Sequence, residues 1–216
     1  LKLGGIDEIT AISHKTGVKV QTICADYFME APLHSSNKKV AEKSFKILER
    51  LLEVAKILKI TDIIIPCVDQ SSLKTEVKAD RFVQQISKII PRIERQNINL
   101  SLETDLSPKP FVELLDKLNS KNITVNYDIG NSAALGFDSD EELNAYGDRI
   151  TDIHIKDRLL DGGPVVLGSG NADFDKLFTK IKEFDYDGPF IMQAYRDEEG
   201  VSIFKSQLGW IKRYIS

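Results

Sequence analysis

The sequence predicts an α/β protein with a parallel sheet, in the form of an incomplete (β/α)8 barrel, and three observations support this fold class. Strand-like and helix-like segments alternate along the whole chain, which is typical of parallel α/β folds. The strand-like segments are nearly continuous apolar runs, as in strands that are buried on both faces. Polar side chains recur at the C-terminal ends of four consecutive strands, where a barrel gathers its active site. An open doubly wound sheet fits the same strands but would concentrate such residues at one switch point.

The first half of the chain contains two predicted strands and two predicted helices. Val18–Cys24 alternates and is rich in β-branched side chains, which predicts a strand. Lys38–Leu58 carries apolar residues at helical spacing, which predicts a long amphipathic helix. Asp62–Cys67 is a continuous apolar run, as buried parallel strands are. Ala79–Glu94 is predicted to be the next helix.

The second half of the chain continues this alternation. Four short apolar runs are predicted strands: Leu100–Glu103, Thr124–Asp128, Ile150–Ile155 and Phe190–Gln193. Helices are predicted near four segments: Pro110–Asn119, Ser139–Gly147, Asp173–Phe184 and Val201–Tyr214. No linker or low-complexity tract interrupts this pattern, so the 216 residues are predicted to form a single barrel domain over residues 1–216.

Composition excludes several classes of function. A net charge of -4 argues against a nucleic-acid surface, because phosphate contacts need clustered Lys and Arg. No apolar run approaches the ~20 residues that span a bilayer, so no membrane association is expected. Cys24 and Cys67 lie in apolar runs and are interpreted as buried thiols of a cytoplasmic protein. A homo-oligomer is compatible with the sequence.

Acidic and imidazole side chains end three successive strands. Glu103, Asp128 and His154 follow apolar runs at corresponding positions, and Gln193 ends the fourth run. Each residue alone has a structural explanation, such as a salt bridge, a turn or a satisfied core histidine. Together they favour a metal site, and oxygen-rich ligands with one imidazole suit Mn²⁺, Mg²⁺, Co²⁺ or Zn²⁺.

The residues around these strand ends form a set of motifs that occur in one known family. In chain order they are Leu102-Glu103-Thr104, Tyr127-Asp128-Ile129-Gly130-Asn131, His154-Ile155-Lys156-Asp157-Arg158, Leu167-Gly168-Ser169-Gly170-Asn171-Ala172-Asp173-Phe174 and Gly188-Pro189-Phe190-Ile191-Met192-Gln193. In these motifs the chain resembles the sugar phosphate isomerase/epimerase superfamily, the xylose isomerase-like TIM barrels. In that family the metal ligands lie on the fifth to eighth strands. The resemblance therefore implies that the first one or two β/α units of the barrel are missing from this chain.

The resemblance also implies a metal-dependent enzyme that isomerises or epimerises a sugar or sugar phosphate. Glu103, Asp128 and His154 would be metal ligands, and Gln193 stands where the family usually has Glu. Asn131 stands where many members have a substrate-binding His. The residues expected to contact substrate are Asn131, Lys156, Asp157, Arg158 and Arg196.

The chemistry of a keto sugar explains why these residue types are needed. A divalent cation polarises the carbonyl and acidifies the neighbouring C–H, and a carboxylate, here Glu103, removes that proton to give an enediolate. Epimerisation needs a second acid on the opposite face, whereas aldose–ketose isomerisation can use one base. Gln193 takes no proton, which disfavours a two-base epimerase that uses this pair. Glu30, Asp157 and Lys156 are the alternative sources of the second acid.

A glycine-rich loop, Gly168–Asn171, precedes the helix predicted near Asp173. Backbone amides at a helix N-terminus suit a phosphate, but a glycine turn with Asn171 or Asp173 as helix cap explains the pattern equally well. Three further functions stay open at this point: a lyase or dehydratase of the same barrel class, a non-catalytic sugar-binding relative, and, disfavoured by the three histidines and the negative charge, an abasic-site endonuclease.

Overall fold

The computed structural model of the chain describes residues 3–184, 186–193, 195 and 200–215. These residues form two compact units. The first unit contains the chain up to Thr104 together with Glu113–Thr124, and the second contains Asp105–Val112 together with the chain from Val125 onward.

Three parallel strands form the sheet of the first unit, in the order β1-β2-β3. Their bounds are β1 (Thr22–Cys24), β2 (Asp62–Cys67) and β3 (Asn99–Thr104). Ile63, Ile64 and Ile65 of β2 are buried, which matches the continuous apolar run predicted there. Leu100 of β3 donates its N–H to the carbonyl of Asn122, at the start of the next strand in the chain.

Helices flank these strands in sequence. They are α1 (Leu3–Thr16), α2 (Tyr27–Glu30), α3 (Lys38–Leu58), α4 (Glu76–Ile86), α5 (Ile90–Gln96) and α6 (Pro108–Leu118), with a 3-10 turn at Asp69–Ser71. Helix α3 has the predicted bounds. The Asn37 side chain caps it by accepting the N–H of Lys39 at 3.0 Å, and it ends at Lys59, which is left-handed with φ 57°.

Two predicted elements of this unit, one helix and one strand, have the wrong bounds. Ala79–Glu94 does not form one helix, because α4 ends at Ile86 and α5 begins at Ile90. Pro91 lies in the first turn of α5, where the N–H that proline lacks has no helical partner. Strand β1 is shorter than the predicted Val18–Cys24.

The second unit contains the other strands. Strand β4 (Ile123–Asp128) begins in the first unit, and from Val125 it pairs in parallel with β5 (Ile150–Ile155). A two-stranded antiparallel hairpin follows, β6 (Asp157–Arg158) and β7 (Pro164–Val165). Strand β8 (Phe190–Met192) pairs in parallel with β5. The helices are α7 (Ile129–Leu135), α8 (Ser139–Tyr146), α9 (Phe174–Glu183) and α10 (Val201–Ile215), with a 3-10 turn at Gly147–Arg149.

All six predicted strands are present, and the α/β class with parallel pairing is confirmed. The single-domain organisation stays a prediction. Cys67 is buried as predicted, whereas Cys24 is only half-buried, and both are thiols. None of the helices described is both long and apolar enough to span a bilayer.

Candidate active site

Asp128 ends β4, and its register partner on the parallel strand β5 is the penultimate residue, His154. The Asp128 Oδ2 atom lies 3.9 Å from His154 Nδ1, and both side chains are almost completely buried. The other carboxylate oxygen, Oδ1, accepts the N–H of Asn131 at 2.8 Å, so Asp128 also caps α7. Because that cap fixes the carboxylate, its second oxygen is directed toward the imidazole.

The Asn126 side chain orients the imidazole of His154. Its Nδ2 atom lies 3.2 Å from His154 Nδ1, and both residues are buried on adjacent strands. The direction of this hydrogen bond depends on the tautomer of the ring. The strand pairing thus places a carboxylate and an imidazole side by side, and both are ligand types of divalent-metal sites.

Two cationic side chains converge on Asn131 beside this pair. The Lys156 ammonium lies 3.4 Å from Asp128 Oδ2 and 3.3 Å from Asn131 Oδ1. Arg158 donates from Nη1 to the same Asn131 oxygen at 2.8 Å, and from Nε and Nη2 to the carbonyl of Gly162. Asn131, Lys156 and Arg158 therefore lie close to Asp128 and His154.

Gly130 makes this convergence possible. A Cβ atom at this position would lie 2.8 Å from Cγ of Lys156 and 3.1 Å from its backbone carbonyl carbon. The first turn of α7 can therefore approach Lys156 closely only with glycine there.

Asp157 has a different environment from that predicted. Its side chain is fully buried and accepts three backbone N–H groups, from Gly168 at 2.9 Å, Gly170 at 2.8 Å and Ala172 at 3.2 Å. Both oxygens are thus engaged by the loop after β7. This places Asp157 in the support of the loop, and neither oxygen is directed to a ligand.

The same contacts overturn the idea that this loop offers amides to a phosphate. Gly168, Gly170 and Ala172 donate to Asp157, Ser169 donates to the carbonyl of Val166, and Asn171 donates to that of Arg158. The alternative explanation for the pattern is confirmed, since Asp173 caps α9 by accepting the N–H of Lys176.

The remaining predicted residues belong to other strands and loops or lie outside the described residues. Glu103 is the penultimate residue of β3 in the first unit and is buried. Gln193 donates its N–H to the carbonyl of Ile155, so it does follow β8 at the strand end, but its side chain is exposed. Glu30 is exposed as well, and Arg196 lies outside the described residues.

Sequence reasoning missed a buried polar cluster directly behind Asp128. The Glu142 carboxylate accepts the hydroxyls of Tyr127 and Tyr146 at 2.8 Å each and that of Ser132. Burial raises the pKa of Glu142, and burial beside that carboxylate raises the pKa of both tyrosines, so the phenols stay protonated as donors. The cluster joins β4, α7 and α8, and its only sequence signal was the i, i+4 spacing of Glu142 and Tyr146.

Comparison with known proteins gives relatives along most of the chain. SgbU of Haemophilus influenzae, provisionally named an L-ribulose-5-phosphate 3-epimerase, is 25% identical over 198 residues, covering 85% of this chain and 69% of its own. The fold is similar to that of the 3-keto-D-glucoside 4-epimerase YcjR of E. coli, with TM-score 0.81, 17% identity and coverage of 97% of this chain and 85% of that one. IolI, solved with a zinc atom, has TM-score 0.79 and 17% identity, covering 97% and 82% of the two chains.

A family model described as the xylose isomerase-like TIM barrel matches residues 1–214. The resemblance and the barrel class predicted from the strand-end motifs are confirmed by this match, and the predicted isomerase- and epimerase-like class agrees with the names of the relatives. Since this family model matches nearly the whole sequence, the chain belongs to the xylose isomerase-like TIM barrel family.

Proposed function

We propose that this chain is a metal-dependent isomerase or epimerase that acts on a keto sugar or sugar phosphate through an enediolate. The observation that carries the proposal is the buried pair of Asp128 and His154 at adjacent strand ends, with the Lys156 ammonium beside it. Family membership supports the same class, and the curated relative SgbU is provisionally named a sugar-phosphate epimerase. A cytoplasmic location, which the two thiols favour, belongs to this proposal.

The proposed metal ligands are Glu103, Asp128 and His154, with the amide oxygen of Gln193 as a fourth. Among the described residues, the first three are the group of acidic and imidazole side chains that could hold a metal ion, and all three are buried. Their donor set fits Mn²⁺, Mg²⁺, Co²⁺ or Zn²⁺. The relative IolI was solved with zinc, which supports a divalent cation here.

A bound cation would polarise the substrate carbonyl and acidify the adjacent C–H. Glu103 would remove that proton, since a buried carboxylate is screened little by water. Asn131 and Lys156 would bind and orient substrate hydroxyls, because both present polar groups beside Asp128. Arg158 would act through Asn131, whose amide oxygen it holds at 2.8 Å.

The source of the second acid separates an epimerase from a one-base isomerase. Gln193 takes no proton. Asp157 is engaged by three amides, Glu30 is exposed, and Lys156 alone of the three alternatives lies against Asp128. Isomerisation by Glu103 needs no second group on the opposite face.

Metal dependence is tested by thermal unfolding with each of the four cations. A ligand that binds only the folded state raises Tm with concentration, so we expect a saturable rise in the wild type and none in Glu103→Ala. Glu30→Ala, which removes an exposed carboxylate, is the matched control and should keep the rise. No rise in the wild type with any of the four cations would overturn metal dependence.

The reaction class is tested with candidate keto sugars in D₂O, followed by NMR. Deuterium incorporation at carbon without loss of hydroxyl supports the isomerase or epimerase, and elimination would instead identify a lyase. Metal binding with neither exchange nor elimination would indicate a sugar-binding relative. Gln193→Glu should tighten divalent binding, and unchanged affinity would remove Gln193 from the ligand set.

A further inference from the structure

A polar cleft lies in the first unit, and none of its lining residues belongs to the site described above. Helices α3 and α4 border a cleft of about 490 Å³, within the size range of small-molecule sites. Four cationic side chains, Lys38, Lys46, Arg81 and Lys88, line it with two carboxylates, Glu42 and Glu49. The lining is thus positive in a chain whose net charge is -4.

Much of this positive charge has no counter-ion within the described structure. Lys38 and Lys46 form no ion pair with any described residue. Arg81 donates from Nε to the carbonyl of His34 at 2.9 Å, and in the described chain nothing accepts from its two Nη atoms. A guanidinium fixed at Nε presents the paired donors that bind phosphate oxygens in bidentate fashion.

His34 also lines the cleft and gives an independent indication of a ligand. Its side chain is 3% exposed, and neither ring nitrogen has a hydrogen-bond partner among the described residues. Buried polar groups are nearly always paired, so an exception of this kind points to an ion, water or ligand. Burial, reinforced by the charges of Lys78 and Arg81, lowers the pKa of His34 to about 4. The ring is therefore neutral at pH 7 and can donate one N–H.

We propose that this cleft binds a phosphate group, either as inorganic phosphate or as a phosphate monoester. The Arg81 Nη atoms and the Lys38 and Lys46 ammonium groups would supply donors from several sides of the tetrahedral anion, and the buried His34 ring lies beside them. Phe45 is half-buried and Ala41 buried in the same lining, and they offer an apolar surface to the carbon part of an ester. A monoester should therefore bind more tightly than inorganic phosphate.

The test is a titration of the wild-type protein with inorganic phosphate or glycerol 3-phosphate, observed at the imidazole of His34 by NMR. Sodium chloride at matched ionic strength is the blank, and exposed His14 is the internal reference. We expect saturable shifts at His34 with phosphate and none at His14. Tighter binding of glycerol 3-phosphate would identify an ester as the ligand, and equal or weaker binding would identify free phosphate.

Charge variants separate a built site from general electrostatic attraction. Arg81→Met should weaken phosphate binding by at least tenfold, and Lys46→Met, which removes an exposed and unpaired ammonium without affecting folding, by about threefold. Lys78→Met removes a charge that also acts on His34 but lies outside the lining, so it should change affinity by less than about twofold. A response no different from chloride, or equal losses in all three variants, would overturn the proposal. The readout is independent of metal and turnover.

Discussion

Asp128 and Asp157 are two buried carboxylates of the second unit that look alike in the sequence and differ in their donors. Each follows or ends an apolar strand, and both are at most 4% exposed. Asp157 accepts three backbone N–H groups from one loop. Asp128 accepts the backbone N–H of Asn131 and places its other oxygen near an ammonium and an imidazole.

The difference separates a carboxylate that supports the fold from one that can exchange partners. Backbone amides cannot leave Asp157 without unfolding the loop that carries them. The Lys156 ammonium, on a flexible side chain, can move away from Asp128 and be replaced by a metal ion. We infer that the nature of the donors, more than burial, marks a carboxylate as part of a site.

The largest expected effect follows from Asp157→Asn. The variant loses the charge and leaves an NH₂ group facing backbone N–H donors, so the free energy of unfolding should fall by about 3 kcal/mol. Urea unfolding measures it. Asp161→Asn, at an exposed hairpin position with φ 51°, is the control and should stay within about 0.5 kcal/mol of wild type. A loss below about 1 kcal/mol would contradict the support role.

Gly170→Ala should disturb the same contact between Asp157 and the loop, this time by changing the loop. A Cβ atom there would lie 2.1 Å from Asp157 Oδ1 and 2.6 Å from the carbonyl oxygen of Arg158, so the loop must shift, at a cost of about 2 kcal/mol. Gly163→Ala has nothing within 4 Å and should be nearly neutral. We also expect the loss of unfolding free energy in the double variant Gly170→Ala/Asp157→Asn to be smaller than the sum of the two single losses. The reason is that both substitutions break the same interaction. Full additivity would show that the glycine does not act through Asp157.

The sequence could predict elements whose signal is local. Helix α3 and strands β2 and β5 have the predicted bounds, because a long amphipathic period and continuous apolar runs are properties of the segment itself. The partners of Asp157 lie 11 to 15 residues away in the chain, and only the folded loop brings them to it. For the same reason the Glu142 cluster, which joins three elements, could not be foreseen.

Asp128→Asn should have a smaller effect on stability and a specific effect on metal. The cap to Asn131 survives through the amide oxygen, so the free energy of unfolding without metal should fall by about 1 kcal/mol. The rise in Tm with divalent cations should disappear, since the amide removes one negative charge from the ligand set. Thermal unfolding with and without cation gives both values in one experiment. A loss of unfolding free energy larger than that of Asp157→Asn would contradict the conclusion that Asp157, and not Asp128, is the carboxylate that supports the fold.

The smallest expected effect concerns Glu142, whose buried carboxylate accepts hydroxyl groups. Burial raises its pKa in the native state, so the native protein binds this proton more tightly than the unfolded chain. Its contribution to stability is therefore present at low pH and is lost as pH rises from about 4.3, the ordinary Glu value, through the raised native pKa. Glu142→Gln should remove this decline.

The measurement is the free energy of unfolding of wild type and Glu142→Gln from pH 4 to 8, expressed as a difference at each pH. His34, whose pKa is lowered to about 4, adds stability as pH rises from 4 to 6.5 in both proteins and cancels in the difference. Glu141→Gln, one residue away and exposed, is the control and should give a flat difference. A flat difference for Glu142→Gln as well would mean that its three hydroxyl donors offset the effect of burial on its pKa.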